Sequence, residues 1–339
     1  MVWDSAVSAI DFPGLPDGVL LSSQSYIGIP LALIGAVFLS LGTQYQHAGV
    51  SKVERIHGQS DAGLSLGNLL ALLRRPSWVV GTLMLGLAIV LQLASLWFAP
   101  LIVVQPLGAV ALVITAIMNS RLTRVPLGGR TILAIVLCVG GVGAFVTVAA
   151  FSAVQKGIEE RELTIVLICL AVLLAFWGTL FLATRKRRAN PMFYVIAAGT
   201  LYGFVATIAK VVMGRIQTLI AEIRLNAGTG WSFGSAEWLT ILCLVGLLAA
   251  VLLGAYFVQS AHAYGPPDLV VAGLTVVDPI VAVCIGIIVL HEADGAQWGV
   301  FVAYIATGVV AVLGVFLLAR NHPQMSAEYR ETGELPLRR

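Results

Sequence analysis

Asp278 is the most expensive side chain in this sequence, because it stands inside a long apolar run. An ionised carboxylate near the centre of a hydrocarbon layer costs roughly 2.5–3.5 kcal/mol on insertion scales. It lies about ten residues into its run, roughly 15 Å deep at 1.5 Å per residue, which is near the midplane. A carboxylate kept at that depth either exchanges a proton or a cation, or stays protonated against a hydroxyl or carbonyl of a neighbouring segment. Pro279 follows it, removes one backbone donor and frees the carbonyl of Thr275, and Pro106 does the same to that of Ile102. In hydrocarbon such oxygens need partners; beside a water-filled cavity they become ligands, and elsewhere the same prolines are packing kinks.

Other polar side chains share the apolar runs. Gln44, Gln92 and Gln105 each serve either as interhelical hydrogen-bond donors or as ligands, and Gln105 gains interest from its proline neighbour. Lys210 either snorkels to the surface or lines a cavity. Its depth differs from that of Asp278 by roughly 12 Å, too far for a direct ion pair between straight helices. The candidate substrate-binding or coupling residues are therefore Asp278, Gln105, Gln44, Lys210 and Gln92, with Pro106 and Pro279 as kink or gate residues.

The elements that must hold these residues follow from composition. The chain has 339 residues, of which 59% are hydrophobic and only 11% charged, with a mean hydropathy of +0.95. Soluble domains carry roughly a quarter charged residues, so a soluble fold is excluded. The apolar residues fall into blocks of about 20, the length that a hydrocarbon core of roughly 30 Å demands. Nine blocks are predicted, over 26–46, 77–98, 100–119, 131–151, 163–183, 192–213, 237–259, 268–290 and 296–318. They must be helices, since a helix satisfies its own backbone in lipid and no ten-residue alternation of a membrane barrel is present. The fold class expected is an all-α polytopic membrane protein.

Loop charge predicts the orientation. With the N-terminus outside, the inner segments hold Lys52, Arg55, Arg74, Arg75, Arg121, Arg124, Arg130, Arg185, Lys186, Arg187, Arg188, Arg320, Arg330, Arg338 and Arg339. The outer segments hold only Lys156, Arg161, Arg215 and Arg224. The positive-inside rule then favours an outer N-terminus, an inner C-terminus and an odd number of spans. Asp4, Asp11 and Asp17 precede the first block without a Lys or Arg, the wrong leader for a cleaved signal peptide, so the first helix is expected to be retained.

The two halves resemble each other. Val103-Val104-Gln105-Pro106 in the third block is echoed by Val276-Val277-Asp278-Pro279 in the eighth. A second register sets Pro100 to Val104 beside Pro267 to Val271, so the sequence supports the repeat more firmly than its alignment. Spans one to four then correspond to six to nine, and a single connector between them makes the second copy inverted. The expected division is an extracytoplasmic segment 1–25, a first repeat 26–151, a connector 163–183, a second repeat 192–318 and a cytoplasmic tail 319–339. Amphipathic pieces, Leu64 to Leu73 and Ile216, Leu219, Ile220 and Ile223, are expected along the membrane surface. Inverted repeats suit secondary transport, since near-equivalent halves exchange inward-open and outward-open arrangements of similar energy.

Several functions lack their chemistry. There is no Walker sequence, GxSxG or HExxH, and no paired intramembrane carboxylate, so an enzyme is not expected. Cys138, Cys169, Cys243 and Cys284 lie in apolar blocks without metal-like spacing and read as small core residues. A net charge of +3 gives no nucleic-acid footprint. No cofactor is expected.

The run Phe98-Ala99-Pro100-Leu101-Ile102-Val103-Val104-Gln105-Pro106-Leu107-Gly108-Ala109 resembles the third-helix signature of NIPA-type magnesium transporters, a branch of the drug/metabolite transporter superfamily. Asp278-Pro279 through His291-Glu292, with Gly299 to Gly308, is similar to that superfamily's EamA-like repeat, and Gly203 to Lys210 also resembles the NIPA pattern. The match covers about residues 26–318. It implies a two-repeat carrier in the cell membrane with its cavity between the halves, working by alternating access on a small polar solute. If Mg²⁺ is that solute, Asp278 is the metal-binding residue, aided by Gln105 and freed carbonyls, since Mg²⁺ prefers oxygen ligands and keeps several waters. The sequence departs from the branch where Gln46 and His47 replace the lysines that usually close the first helix. The related small multidrug-resistance proteins rely on a glutamate in their first helix, and residues 26–46 contain no acid. Flipping of a lipid-linked precursor and a non-transporting scaffold role stay open as alternatives; membrane lipids are partners in every case, and oligomeric state is undetermined.

Overall fold

The computed structural model describes residues 25–57, 73–124, 126–155, 160–184, 190–225, 235–264 and 267–320. Among them, nine stretches are helical, long and apolar enough to cross a membrane: Tyr26–Gln46, Pro76–Phe98, Leu101–Leu122, Gly129–Ser152, Glu160–Leu182, Pro191–Ile220, Trp238–His262, Leu269–Ile288 and Trp298–Arg320. The chain is an all-α polytopic membrane protein. The amphipathic stretch 64–72, the N-terminal segment 1–24 and the tail 321–339 lie outside the described residues.

Two spans form the centre. In the third and sixth, 61% and 67% of the apolar window is buried, against 17–39% in the other seven. Those seven turn large side chains outward, such as Leu83 and Ile305, which are 68% and 69% exposed. Lipid solvates such surface as well as protein does, so helix association relies instead on close backbone approach at small residues. The first span packs mainly on the second, the sixth on the seventh and eighth, and the fourth on the ninth. The fifth span is peripheral and touches the sixth and seventh.

The fourth–ninth crossing is reciprocal. A Cβ on Gly141 would collide with the backbone of Ala311, and one on Gly314 with the backbone of Cys138. Each helix thus presents a glycine and receives the other's, which is the isologous contact a two-fold relation produces. Gly314 follows Gly141 by the same number of residues as Asp278 follows Gln105 and Pro279 follows Pro106. The packing therefore favours the register that pairs Val-Val-Gln-Pro with Val-Val-Asp-Pro.

Ile216, Leu219 and Ile220, expected along the membrane surface, extend the sixth helix instead, which runs unbroken from Pro191 to Leu225. No proline interrupts it, and Gln217 within the extension donates from Nε2 to the Trp97 carbonyl at 2.9 Å. Cys138 and Cys243 are buried as small core residues, whereas Cys284 lies on the exposed apolar surface and Cys169 is half-buried. Lipid accepts a thiol there because it is a small, weakly polar group.

Candidate functional site

Asp278 sits in the helix Pro267–Ile288, which continues through Pro279. Ring closure at proline leaves the Thr275 carbonyl without its helical donor. The depth of this helix is fixed by the sixth span, whose Gly199 and Gly203 face Val277 and Val281 where the two helices cross. The Asp278 carboxylate has an oxygen, Oδ1, that is buried and has no hydrogen-bond partner. Native structures leave few buried polar atoms in that condition, so the atom points to something the protein alone does not supply.

The third span is broken by its own proline. It consists of one helix at Leu101–Leu107 with Pro106 inside it and a second at Ala109–Thr123. At the joint, the Gly108 amide donates to the Gln105 carbonyl at 3.2 Å. Gln105 is 7% exposed, held just above the break.

A cavity of about 450 Å³ lies between the first, second, third, sixth and eighth spans. Asp278, Pro279 and Thr275 contribute from the eighth, Gln105 from the third, Gln92 from the second and Tyr202 from the sixth; the rest of the wall is mainly Gly, Ala and Leu. Gln105 and Asp278, as far apart in sequence as Gly141 and Gly314, both line this cavity, one amide and one acid. This is a concave, mostly apolar pocket with a few convergent polar groups, the usual form of a small-solute site.

The donor set limits the chemistry. Among the described residues no three His, Cys, Asp or Glu come together. A closed metal cage is therefore not built from these residues. One carboxylate with two amides and an aromatic hydroxyl suits a cation that keeps much of its water, as Mg²⁺ does when held by one or two carboxylates.

Other sequence candidates fall elsewhere. Gln44 is half-buried on the first span and does not line the cavity. Lys210 neither snorkels nor lines the cavity. It is 4% exposed, and its Nζ donates to the carbonyls of Leu96 at 2.7 Å and Ala99 at 2.8 Å. Pro106 kinks the third span without lining the cavity itself.

Glu292 is the charged residue that sequence reasoning left without a structural role. It lies in the short turn after the eighth span yet is 3% exposed. Its Oε1 accepts the Leu101 amide at 2.8 Å and its Oε2 the Ile102 amide at 2.8 Å. Burial pushes its carboxyl above the ordinary value, against the opposing pull of the Lys210 ammonium and the two amides. A signal existed in Pro100: a helix starting after that residue leaves amides in need of an acceptor where water is scarce.

The family model described as "Magnesium transporter NIPA" matches residues 23–324. An uncharacterised protein of Corynebacterium glutamicum is 25% identical over 303 residues, 88% of this chain and 96% of its own length. A protein of Arabidopsis thaliana described as "Probable magnesium transporter NIPA4" is 30% identical over 121 residues, 36% of this chain and 34% of its own length. No solved structure matches this chain.

Proposed function

The chain belongs to the NIPA magnesium transporter family, and from that membership we propose that this membrane transporter is a secondary carrier of Mg²⁺ working by alternating access. The proposal places it in the plasma membrane with its N-terminus outside and its C-terminus inside, as the loop charges favour. The observation that carries it is the buried, unpartnered Oδ1 of Asp278 on the wall of a cavity of about 450 Å³. That volume exceeds a bare ion by far and leaves room for retained waters. Asp278 binds the cation's charge, Gln105 and Gln92 accept from its waters through their carbonyl oxygens, and the Thr275 carbonyl freed by Pro279 adds a further oxygen. Alternating access is supported by the reciprocal packing of the fourth and ninth spans, because related halves can exchange conformations at little cost.

Purified protein in liposomes loaded with a magnesium indicator tests this directly. Uptake along an imposed Mg²⁺ gradient is expected, with Asp278→Asn reducing it to the rate of protein-free vesicles. Equal rates in parent and Asp278→Asn, or no uptake by the parent, would overturn the assignment.

A further inference from the structure

The second and third spans are separated only by Ala99 and Pro100. Such a break strands carbonyls at one helix end and amides at the next start. Here both sets are met by side chains from beyond the third span. Lys210 Nζ reaches the Leu96 and Ala99 carbonyls, and Gln217 Nε2 and Gln155 Nε2 both reach that of Trp97. Glu292 takes the Leu101 and Ile102 amides. The charges also match the helix ends, an ammonium at the C-terminus of the second span and a carboxylate at the N-terminus of the third.

This clamp stands over one end of the cavity. Leu96 and Ala209, neighbours of the clamped carbonyl and of Lys210, are on the cavity wall, and Gln105 lies one turn beyond Leu101. Ala99, Leu101 and Ile102 are wholly buried, so that end is sealed. By the charge distribution of the loops, it faces outside. The charged bonds all run between repeats: side chains of the second half grip backbone of the first. A carrier that exposes its cavity outward must part these surfaces and release them.

We propose that Lys210 and Glu292 are the outer gate of this carrier, closing the cavity by gripping the break between the second and third spans. The proposal rests on the alternating-access reading above. Both residues act through backbone and not through the transported ion, so they are positioning residues. Loosening their grip shifts the population toward the outward-open state without touching the ion site.

Sided labelling tests the gate. Ala206 lines the cavity, and Ala206→Cys reports access when a membrane-impermeant maleimide is applied from either face of oriented vesicles. The chain without that substitution sets the background from its four cysteines. Glu292→Gln and Lys210→Met should each raise labelling from outside about tenfold and lower it from inside, a tenfold change being about 1.4 kcal/mol. Gln217→Ala, which strands no buried charge, should shift labelling the same way by a smaller factor. General loosening raises access from both faces alike, so an equal rise, or no change, would overturn the gate. If the charge variants fail to insert, Gln217→Ala combined with Gln155→Ala, which together free the Trp97 carbonyl, decides: a flat response rejects the gate and an outward shift supports it. A sided shift in a protein that moves no Mg²⁺ would sink the magnesium assignment and leave the gate standing; intact flux with unsided labelling would do the reverse.

Discussion

Gly203 of the sixth span meets the eighth span at Asp278: a Cβ built on the glycine would stand 3.0 Å from the Asp278 carbonyl oxygen and 2.8 Å from the Val281 Cβ. Both neighbours are fixed, one being backbone and the other the root of a β-branched side chain, so neither yields by rotation. Gly203→Ala must push the eighth helix outward or distort it, at about 1–3 kcal/mol for overpacking. Gly140 is a matched control, because a Cβ there meets nothing within 4 Å. Thermal unfolding in detergent should show a lowered midpoint for Gly203→Ala and none for Gly140→Ala. Magnesium flux should fall only in the former, since moving this crossing moves Asp278.

Replacing Asp278 should cost activity and not stability. Its Oδ1 makes no hydrogen bond among the described residues, so Asn removes a charge without stranding a partner. The midpoint of Asp278→Asn should equal or exceed that of the parent, while Mg²⁺ uptake falls at least tenfold. A drop of several degrees would show that the carboxylate holds the fold together and is not reserved for a ligand.

The spans were legible because the membrane allows few solutions: long apolar blocks must be helices, and eight of the nine expected ones lie within three residues of those observed at either end, while the sixth, expected to end at 213, continues to Ile220. Asp278 and Gln105 were legible from the cost of polarity beside proline, and both line the cavity. Lys210 and Glu292 were not. Their partners are backbone atoms at a helix break 111 and 191 residues away in sequence, and nothing local to a lysine or a turn glutamate specifies such a partner. The repeat register was equally hidden, since two alignments fit the sequence and only the glycine contacts of the fourth and ninth spans distinguish them.

Glu292 should give the protein a characteristic pH dependence. Burial holds its carboxyl above the ordinary value of 4.5, and the titratable groups coupled to it are Lys210 and Tyr304. Below the ordinary value, folded and unfolded chains both keep the proton. As pH rises the unfolded chain releases it first, so stability falls until the folded carboxyl also ionises. Each pH unit between the two ionisations is worth about 1.4 kcal/mol. Melting midpoints taken from about pH 4 to about pH 8 should fall more steeply in the parent than in Glu292→Gln. Parallel curves would mean that the carboxyl ionises alike in both states.

Gln105→Asp probes the asymmetry of the site. Gln105 and Asp278 line one cavity, so the substitution adds a second carboxylate to its wall. Mg²⁺ is commonly held by one or two carboxylates, and a second raises affinity through charge. Tighter binding also slows release when the outward and inward states bind alike. The variant should therefore show a half-saturating Mg²⁺ concentration lowered by about fivefold or more, together with a reduced maximal rate. Adding Asp278→Asn to it returns the site to one carboxylate on the opposite half, and flux should recover well above that of Asp278→Asn alone. An unchanged half-saturating concentration in Gln105→Asp, with the double variant as inactive as Asp278→Asn, would place the third span outside the ion's reach.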